Sequence, residues 1–202
     1  AYCLSHYALA RELCAFYNLP FRKPAVPEVA ASGTVVPIKI EDPGLCRRYT
    51  GIVVENVSAA KTPEWMAGRL RAMGSNPKNN ILIDVSNYVM YELGQPAHCF
   101  DLAKLSGPEI IVRLAKTGET LKSLDSQELK LDGAMLVIAD KHRPAALAGV
   151  IGGMQSAVSE ITTAVLIESA SFNPSAVRLS SRKACVKTES SYRFERGTDP
   201  EL

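Results

Sequence analysis

Two side chains in this 202-residue sequence stand where packing alone explains them poorly. Glu168 lies inside the apolar run Val165-Leu166-Ile167-Glu168-Ser169-Ala170. Removing a lone carboxylate from water is costly. Either strand alternation turns Glu168 to solvent, or it lines a pocket as a recognition group. His98 follows the break Gly94-Gln95-Pro96, which places it at a loop-to-strand junction, where functional groups often project. A structural histidine is the alternative there. The other two histidines read as surface or half-buried residues: His6 in a helical segment, His142 in the charged turn Asp140-Lys141-His142-Arg143.

Other chemistries find less support. Gly149-Val150-Ile151-Gly152-Gly153 lacks the Lys-Ser/Thr of a phosphate loop and the G-x-G-x-x-G order of a dinucleotide site. It reads as a tight turn needing positive φ, or as backbone that approaches a ligand closely. There is no G-x-S-x-G elbow, no H-E-x-x-H and no Asp-rich calcium loop. The five cysteines (Cys3, Cys14, Cys46, Cys99 and Cys185) are odd in number, widely spaced and without a C-x-x-C pair. Neither a disulfide framework nor a zinc site follows, so reduced thiols and no metal site are expected. Arg178, Arg182, Lys183, Lys187, Arg193 and Arg196, with Tyr192 and Phe194 interleaved, form the densest basic region. That pattern suits a solvated helix face paired with Glu189 and Glu195, or contact with an RNA backbone.

The elements that must position these residues follow from periodicity and turn chemistry. Leu4, Tyr7, Ala8, Leu9, Leu13 and Phe16 mark a helix over 2–17 with one buried stripe. Prolines 20, 24 and 27 make 20–33 an extended linker. Strands are expected over 35–40 and 49–57, separated by Asp42-Pro43-Gly44. Thr62-Pro63-Glu64 starts a helix that reaches Met73, with Thr62 as its cap. A second helix covers 83–93 with Gly94 after it. Further strands are expected over 109–115, 120–124, 129–131, 135–139 and 164–171, Ala145 to Val150 leads into Gly152-Gly153, and Asn173-Pro174 begins another helix. Consecutive strands mixed with helices argue α+β. Apolar residues at 47%, charged residues at 22% and a net charge of +2 describe an ordinary globular chain, too mildly basic to announce nucleic-acid binding. No apolar run is long enough to span a membrane, and no signal peptide is expected. The ends, Ala1 and Asp199-Pro200-Glu201-Leu202, read as cut, so 1–202 is expected to be part of a longer chain.

Three strings carry a resemblance. Asp84-Val85-Ser86-Asn87-Tyr88-Val89-Met90, continued by Glu92-Leu93-Gly94-Gln95-Pro96, His98 and Phe100-Asp101-Leu102, is similar to a run reading D-V-T-N-Y-V-M-L-E-L-G-Q-P-M-H-A-F-D-L. Leu147 to Gly153 resembles L-A-G-V-M-G-G, and Arg193 to Pro200 resembles R-F-E-R-G-V-D-P. All three belong to the third and fourth domains of bacterial phenylalanyl-tRNA synthetase beta subunits, in the same order. The resemblance implies an α+β fold with a sandwich-like central β layer flanked by helices, built as two interlocked subdomains. It implies proofreading: hydrolysis of mischarged tyrosyl-tRNA, because an apolar pocket rejects an added hydroxyl poorly.

By motif position, His98 matches the family histidine beside the mischarged ester and Glu168 the glutamate that recognises the tyrosine hydroxyl. Gly149 and Thr188 match pocket residues, and Ser86 and Asn87 match a Thr-Asn pair near the terminal adenosine. Ser190 stands beside the pocket where the family usually has alanine, Ala97 replaces a methionine, and Lys183-Ala184-Cys185-Val186 replaces Arg-His-Gly-Leu. In those roles Glu168 is a carboxylate accepting from a phenol, and His98 orients or deprotonates a water. The implied partners are tRNA for phenylalanine, the remaining beta-subunit domains and the alpha subunit of a cytoplasmic hetero-tetramer. ATP and Mg belong to that parent enzyme, and no cofactor is expected in this part. A non-catalytic tRNA-binding or scaffold module is the competing reading.

Overall fold

The strand that carries Glu168 sits at the centre of a three-stranded sheet, and this position decides the fate of the carboxyl group. A computed structural model of the chain describes residues 3–29, 33–107 and 109–200; the expectations for the extreme termini and for 30–32 lie outside the described residues. In chain order the elements are α1 (His6–Phe16), β1 (Ile38–Ile40), β2 (Cys46–Glu55), α2 (Glu64–Ala72), α3 (Ile81–Leu93) and β3 (Ala97–Asp101). Then come β4 (Ile110–Leu114), β5 (Thr120–Lys122), β6 (Glu128–Lys130), β7 (Leu136–Ala139), β8 (Pro144–Leu147) and β9 (Ile151–Gly152). The chain closes with β10 (Ala164–Phe172), α4 (Pro174–Ala184) and α5 (Glu189–Phe194).

The architecture is α+β. One sheet has the order β1-β4-β7-β8-β9, a second the order β2-β10-β3, and β5 and β6 form a ribbon. Among the described residues only the β1–β4 strand pairing is parallel. Ile110, Val112, Leu136, Ile138 and Leu147 of the first sheet join Phe100, Leu166 and Phe172 of the second in one core. Helix α3 packs on β3 and contacts α1 and α2, while α4 packs on β7 and α5.

Local chemistry explains the boundaries. Asn80 caps α3 by accepting from Leu82 N, so the helix starts two residues before the apolar pattern predicts, and Gly94 ends it with φ +88°. Asn173 accepts from Ser175 N and Ala176 N, with Pro174 at the first helical position, as the sequence predicts. Thr62 does not cap α2. Pro63 takes that place, and Thr62 Oγ1 instead donates to Asp84 Oδ2 at 2.6 Å. The stripe predicted for α1 is also corrected: among its helical residues Ala8 is buried, whereas Leu9, Leu13 and Phe16 are exposed.

Candidate functional site

Glu168 and His98 are direct partners across the antiparallel β10–β3 pair, and on its other edge Glu168 faces Gly51 of β2. Directly opposed residues share a face and hold their β-carbons about 4.5–5.5 Å apart. Along β10, Leu166, Glu168, Ala170 and Phe172 alternate onto the core side and all are buried. Glu168 therefore occupies a core position, and the solvent-facing alternative does not apply. His98 is the second residue of β3, at the loop-to-strand junction expected from the Gly94-Gln95-Pro96 break.

Both side chains line a cavity of about 370 Å³, within the roughly 300–1,000 Å³ typical of small-molecule sites. The same cavity takes Ser86 and Asn87 from α3, Gly149 from the turn between β8 and β9, and Thr188 and Ser190 from the start of α5. All seven site residues named from the sequence thus converge from five elements. Leu82, Met90, Ile138, Leu147 and Phe194 supply apolar walls. The α3 residues Leu82, Ile83, Ser86, Asn87 and Met90 recur at the helical period and so present one stripe to the cavity.

The hydroxyl groups do less recognition than their types suggest. Thr188 caps α5 by accepting from Ser191 N at 3.0 Å, and its own hydrogen goes to Val150 O at 2.7 Å. Ser190 Oγ donates to Gly149 O at 3.2 Å. Together they clamp the Gly149–Val150 turn onto α5. Ser190 therefore spends its extra hydroxyl on backbone. Ser86 Oγ donates to Ile83 O at 2.8 Å, which leaves its lone pairs for the cavity.

The glycine-rich turn takes the positive φ of the first reading at Gly149, and at Gly152 the group it approaches closely is the His98 side chain. Gly149 has φ +67°, and a β-carbon there would also press on Phe194, Val177 and Phe172 at 3.0–3.1 Å. At Gly152, a β-carbon would lie 2.5 Å from His98 Cε1. Gly152 is what lets the imidazole lie against β9. The ring packs edge-on to Phe100, with centroids 4.5 Å apart.

Burial sets the electrostatics. It holds the His98 imidazole down at about 4, so the ring is neutral at physiological pH, and its Nε2 is buried without a hydrogen-bond partner. Burial pushes Glu168 up to about 8, opposed by the nearby Tyr49 hydroxyl. At pH 7 the unliganded group is mostly a neutral carboxylic acid, a correction to the carboxylate assumed from the sequence. Its Oε2 has no hydrogen-bond partner, and neither has Tyr49 Oη: the two groups influence each other without meeting hydrogen-bond geometry. Cys99 and Cys46 are thiols raised by burial to about 11 and about 12.

The basic C-terminal region divides. Arg193 is buried; its Nη1 donates to Glu189 Oε2 at 2.7 Å, its Nη2 to Leu4 O at 3.1 Å, and the guanidinium lies over Tyr91. Arg196 folds back on Tyr192. These two cations pack, while Arg178, Arg182, Lys183 and Lys187 are exposed. Cys185, at the family's glycine position, adopts φ +54° as the C-cap of α4, so the backbone keeps the left-handed turn that glycine would favour. Three neighbours were not singled out from the sequence: Tyr49 and Gly51, which pair with β10 beside Glu168, and Lys78, an exposed cation lining the cavity. A glycine inside the strand-like run 49–57 was the available signal for Gly51.

Residues 45–202 match the model of the B3/4 domain. The chain belongs to the B3/4 domain family. It is 46% identical over 201 residues to a phenylalanine–tRNA ligase beta subunit of Carboxydothermus hydrogenoformans, and 48% identical over 198 residues to one of Aquifex aeolicus. Each alignment covers 98% of this chain and 25% of the relative, so the chain spans about a quarter of the length of the curated relatives it matches. Its fold is similar to that of a solved N-terminal fragment of the phenylalanyl-tRNA synthetase beta subunit from Pyrococcus horikoshii, with TM-score 0.52 and 14% identity, over 82% of this chain and 51% of the other. Among the described residues, no three His, Cys, Asp or Glu side chains group as a metal site, and no helix of this B3/4 domain is long and apolar enough to cross a membrane.

Proposed function

We propose that this B3/4 domain is the editing module of a phenylalanine–tRNA ligase beta subunit and hydrolyses tyrosyl-tRNA for phenylalanine. The observation that carries the reading is the Glu168–His98 pair facing one apolar-walled cavity. The apolar walls suit an aromatic ring. Glu168, the buried carboxyl group of that cavity, suits the hydroxyl that tyrosine has and phenylalanine lacks. A phenol that hydrogen-bonds the Glu168 carboxyl group is rewarded, while phenylalanine leaves that group unpaired on the cavity side, a difference of about 1–3 kcal/mol.

His98 supplies an unpartnered nitrogen to hold a water. With its basicity depressed to about 4, the imidazole orients the water and passes its proton rather than removing it outright beforehand. Water oxygen attacks the ester carbonyl carbon, the bond from that carbon to the ribose oxygen of the terminal adenosine breaks, and the water's proton ends on the ribose oxygen. Tyrosine and uncharged tRNA leave. Ser86 and Asn87 on α3 line the same cavity and, in this reading, contact the terminal adenosine. No covalent nucleophile is needed for an activated ester.

In this reading residues 1–202 form two interlocked subdomains of a cytoplasmic complex with the alpha subunit. ATP and Mg serve the parent's ligation step. The test is deacylation of tyrosyl-tRNA and phenylalanyl-tRNA by wild type, Glu168→Ala and His98→Ala. Glu168→Ala should lose roughly tenfold in preference for the tyrosyl ester, and His98→Ala should lose about a hundredfold in rate. Unchanged preference removes Glu168 from recognition. Tight, salt-sensitive tRNA binding with no wild-type deacylation would favour the non-catalytic module instead.

A further inference from the structure

We propose that Tyr49 is a positioning residue for Glu168: its buried hydroxyl holds one carboxyl oxygen from behind, so that the other faces the cavity as the acceptor of a substrate hydroxyl. The proposal rests on the editing reading of the cavity for its functional consequence, and on geometry alone for the pairing. On β2, Tyr49 lies opposite Ala170 and Gly51 opposite Glu168. Residues 49 and 51 share a face of the sheet with 168 and 170, so Tyr49 and Glu168 are diagonal neighbours, a separation that an aromatic side chain bridges. Gly51 places no β-carbon between them. Tyr49 does not line the cavity, whereas Glu168 does, which puts the ring on the carboxyl group's far side. Phe172 braces that ring at 6.5 Å.

The second observation is a matched pair of orphans. Tyr49 Oη and Glu168 Oε2 are both buried and both without a hydrogen-bond partner. Each is costly alone, and a small torsional change joins them. The other titratable groups around Glu168 supply no competing cation. Cys46 on β2 and Cys99 on β3 are thiols that burial keeps protonated, and His98 on β3 is neutral. Glu189 of α5 is engaged by Arg193, and Lys78, before α3, is exposed to solvent. The Tyr49 hydroxyl is the donor that opposes the effect of burial on Glu168.

The test is a carboxyl-detected NMR titration of the full chain with ¹³C-labelled glutamate, with Glu168→Gln used to assign the resonance. Tyr49→Phe, which keeps the ring, should move the Glu168 midpoint to higher pH than in the wild type. In parallel, Tyr49→Phe should lower the preference for tyrosyl-tRNA over phenylalanyl-tRNA about tenfold, or about 1.4 kcal/mol, with the loss falling on the tyrosyl ester. A folded Tyr49→Phe protein with an unmoved Glu168 midpoint overturns the pairing, whatever the hydrolysis shows. A moved midpoint with unchanged preference overturns the positioning role and leaves editing intact. If the wild type hydrolyses neither ester, the editing reading fails, and with it the functional half of the proposal, while the titration still decides the pair.

Discussion

Asp84 and Glu168 are both buried carboxyl groups, and the fold surrounds them in opposite ways. Asp84, fully buried at the start of α3, accepts from Thr62 Oγ1 at 2.6 Å, Lys78 N at 2.9 Å and Asn79 N at 3.0 Å. Those bonds tie α2 to α3 and hold Asn79 in a left-handed conformation. Glu168 is 5% exposed and keeps an oxygen without a partner. Among the described residues five buried side-chain polar atoms lack partners, and three of them (Tyr49 Oη, His98 Nε2 and Glu168 Oε2) belong to the three-stranded sheet beside the cavity. Satisfied buried polar groups stabilise a structure, and unsatisfied ones raise its energy until something binds. The Asp84 region is thus scaffold and the Glu168 region is a site held ready.

Removing the scaffold carboxyl should have the largest effect. Asp84→Ala leaves two backbone N–H groups and a hydroxyl unpaired, and denaturant unfolding should show a loss of about 3 kcal/mol. A loss below about 1 kcal/mol would break the contrast.

The site carboxyl should behave in the reverse sense. The folded state holds Glu168's proton up to about 8 against 4.5 ordinarily, so its contribution to stability is complete below pH 4.5 and disappears as pH rises through 8. His98 has the opposite sense: depressed from 6.5 to about 4, it contributes stability above pH 6.5 that is lost as pH falls through 4. The two slopes offset between about pH 4.5 and 6.5. Above that range Glu168 acts alone, and wild-type stability should fall by up to about 1.4 kcal/mol per pH unit toward pH 8. Glu168→Gln should abolish that fall and be more stable than wild type above pH 8. Melting curves at stepped pH read both, and parallel profiles for the two proteins would refute the account.

The smallest effect on stability, and the sharpest on the comparison, belongs to Gly152→Ala. The added carbon must displace the His98 ring, costing about 1 kcal/mol in unfolding experiments. In the proposed editing role, tyrosyl-tRNA hydrolysis should fall by more than the stability change accounts for. A mutant with full activity would mean that the ring position seen here does not matter.

Much of this was legible beforehand, for reasons that can be named. Gly94, Asn173-Pro174 and the strand runs act through bonds to their immediate neighbours, so their elements were readable from order alone. Where the expectation failed, a distant group had intervened. Thr62 has the type of a helix cap, but Asp84, 22 residues away, takes its hydrogen. The α1 stripe has the right period, yet period does not say whether anything covers Leu9, Leu13 and Phe16. Arg193 looked like part of a basic surface until Glu189, Leu4 and Tyr91 surrounded it.

The sequence by itself determined the α+β elements, the types of the seven site residues and, through their spacing, a resemblance that named His98 and Glu168. It did so because capping, turn formation and side-chain alternation are local interactions. Tertiary structure decided the rest. Pairing Glu168 with His98 and Gly51, burying the carboxyl group, and setting Tyr49 behind it depends on strand register between segments that lie more than a hundred residues apart for β2 and β10. That register changed Glu168 from a carboxylate into a largely protonated acid, because the charge of a carboxyl group follows from what surrounds it in space, and sequence order does not contain that.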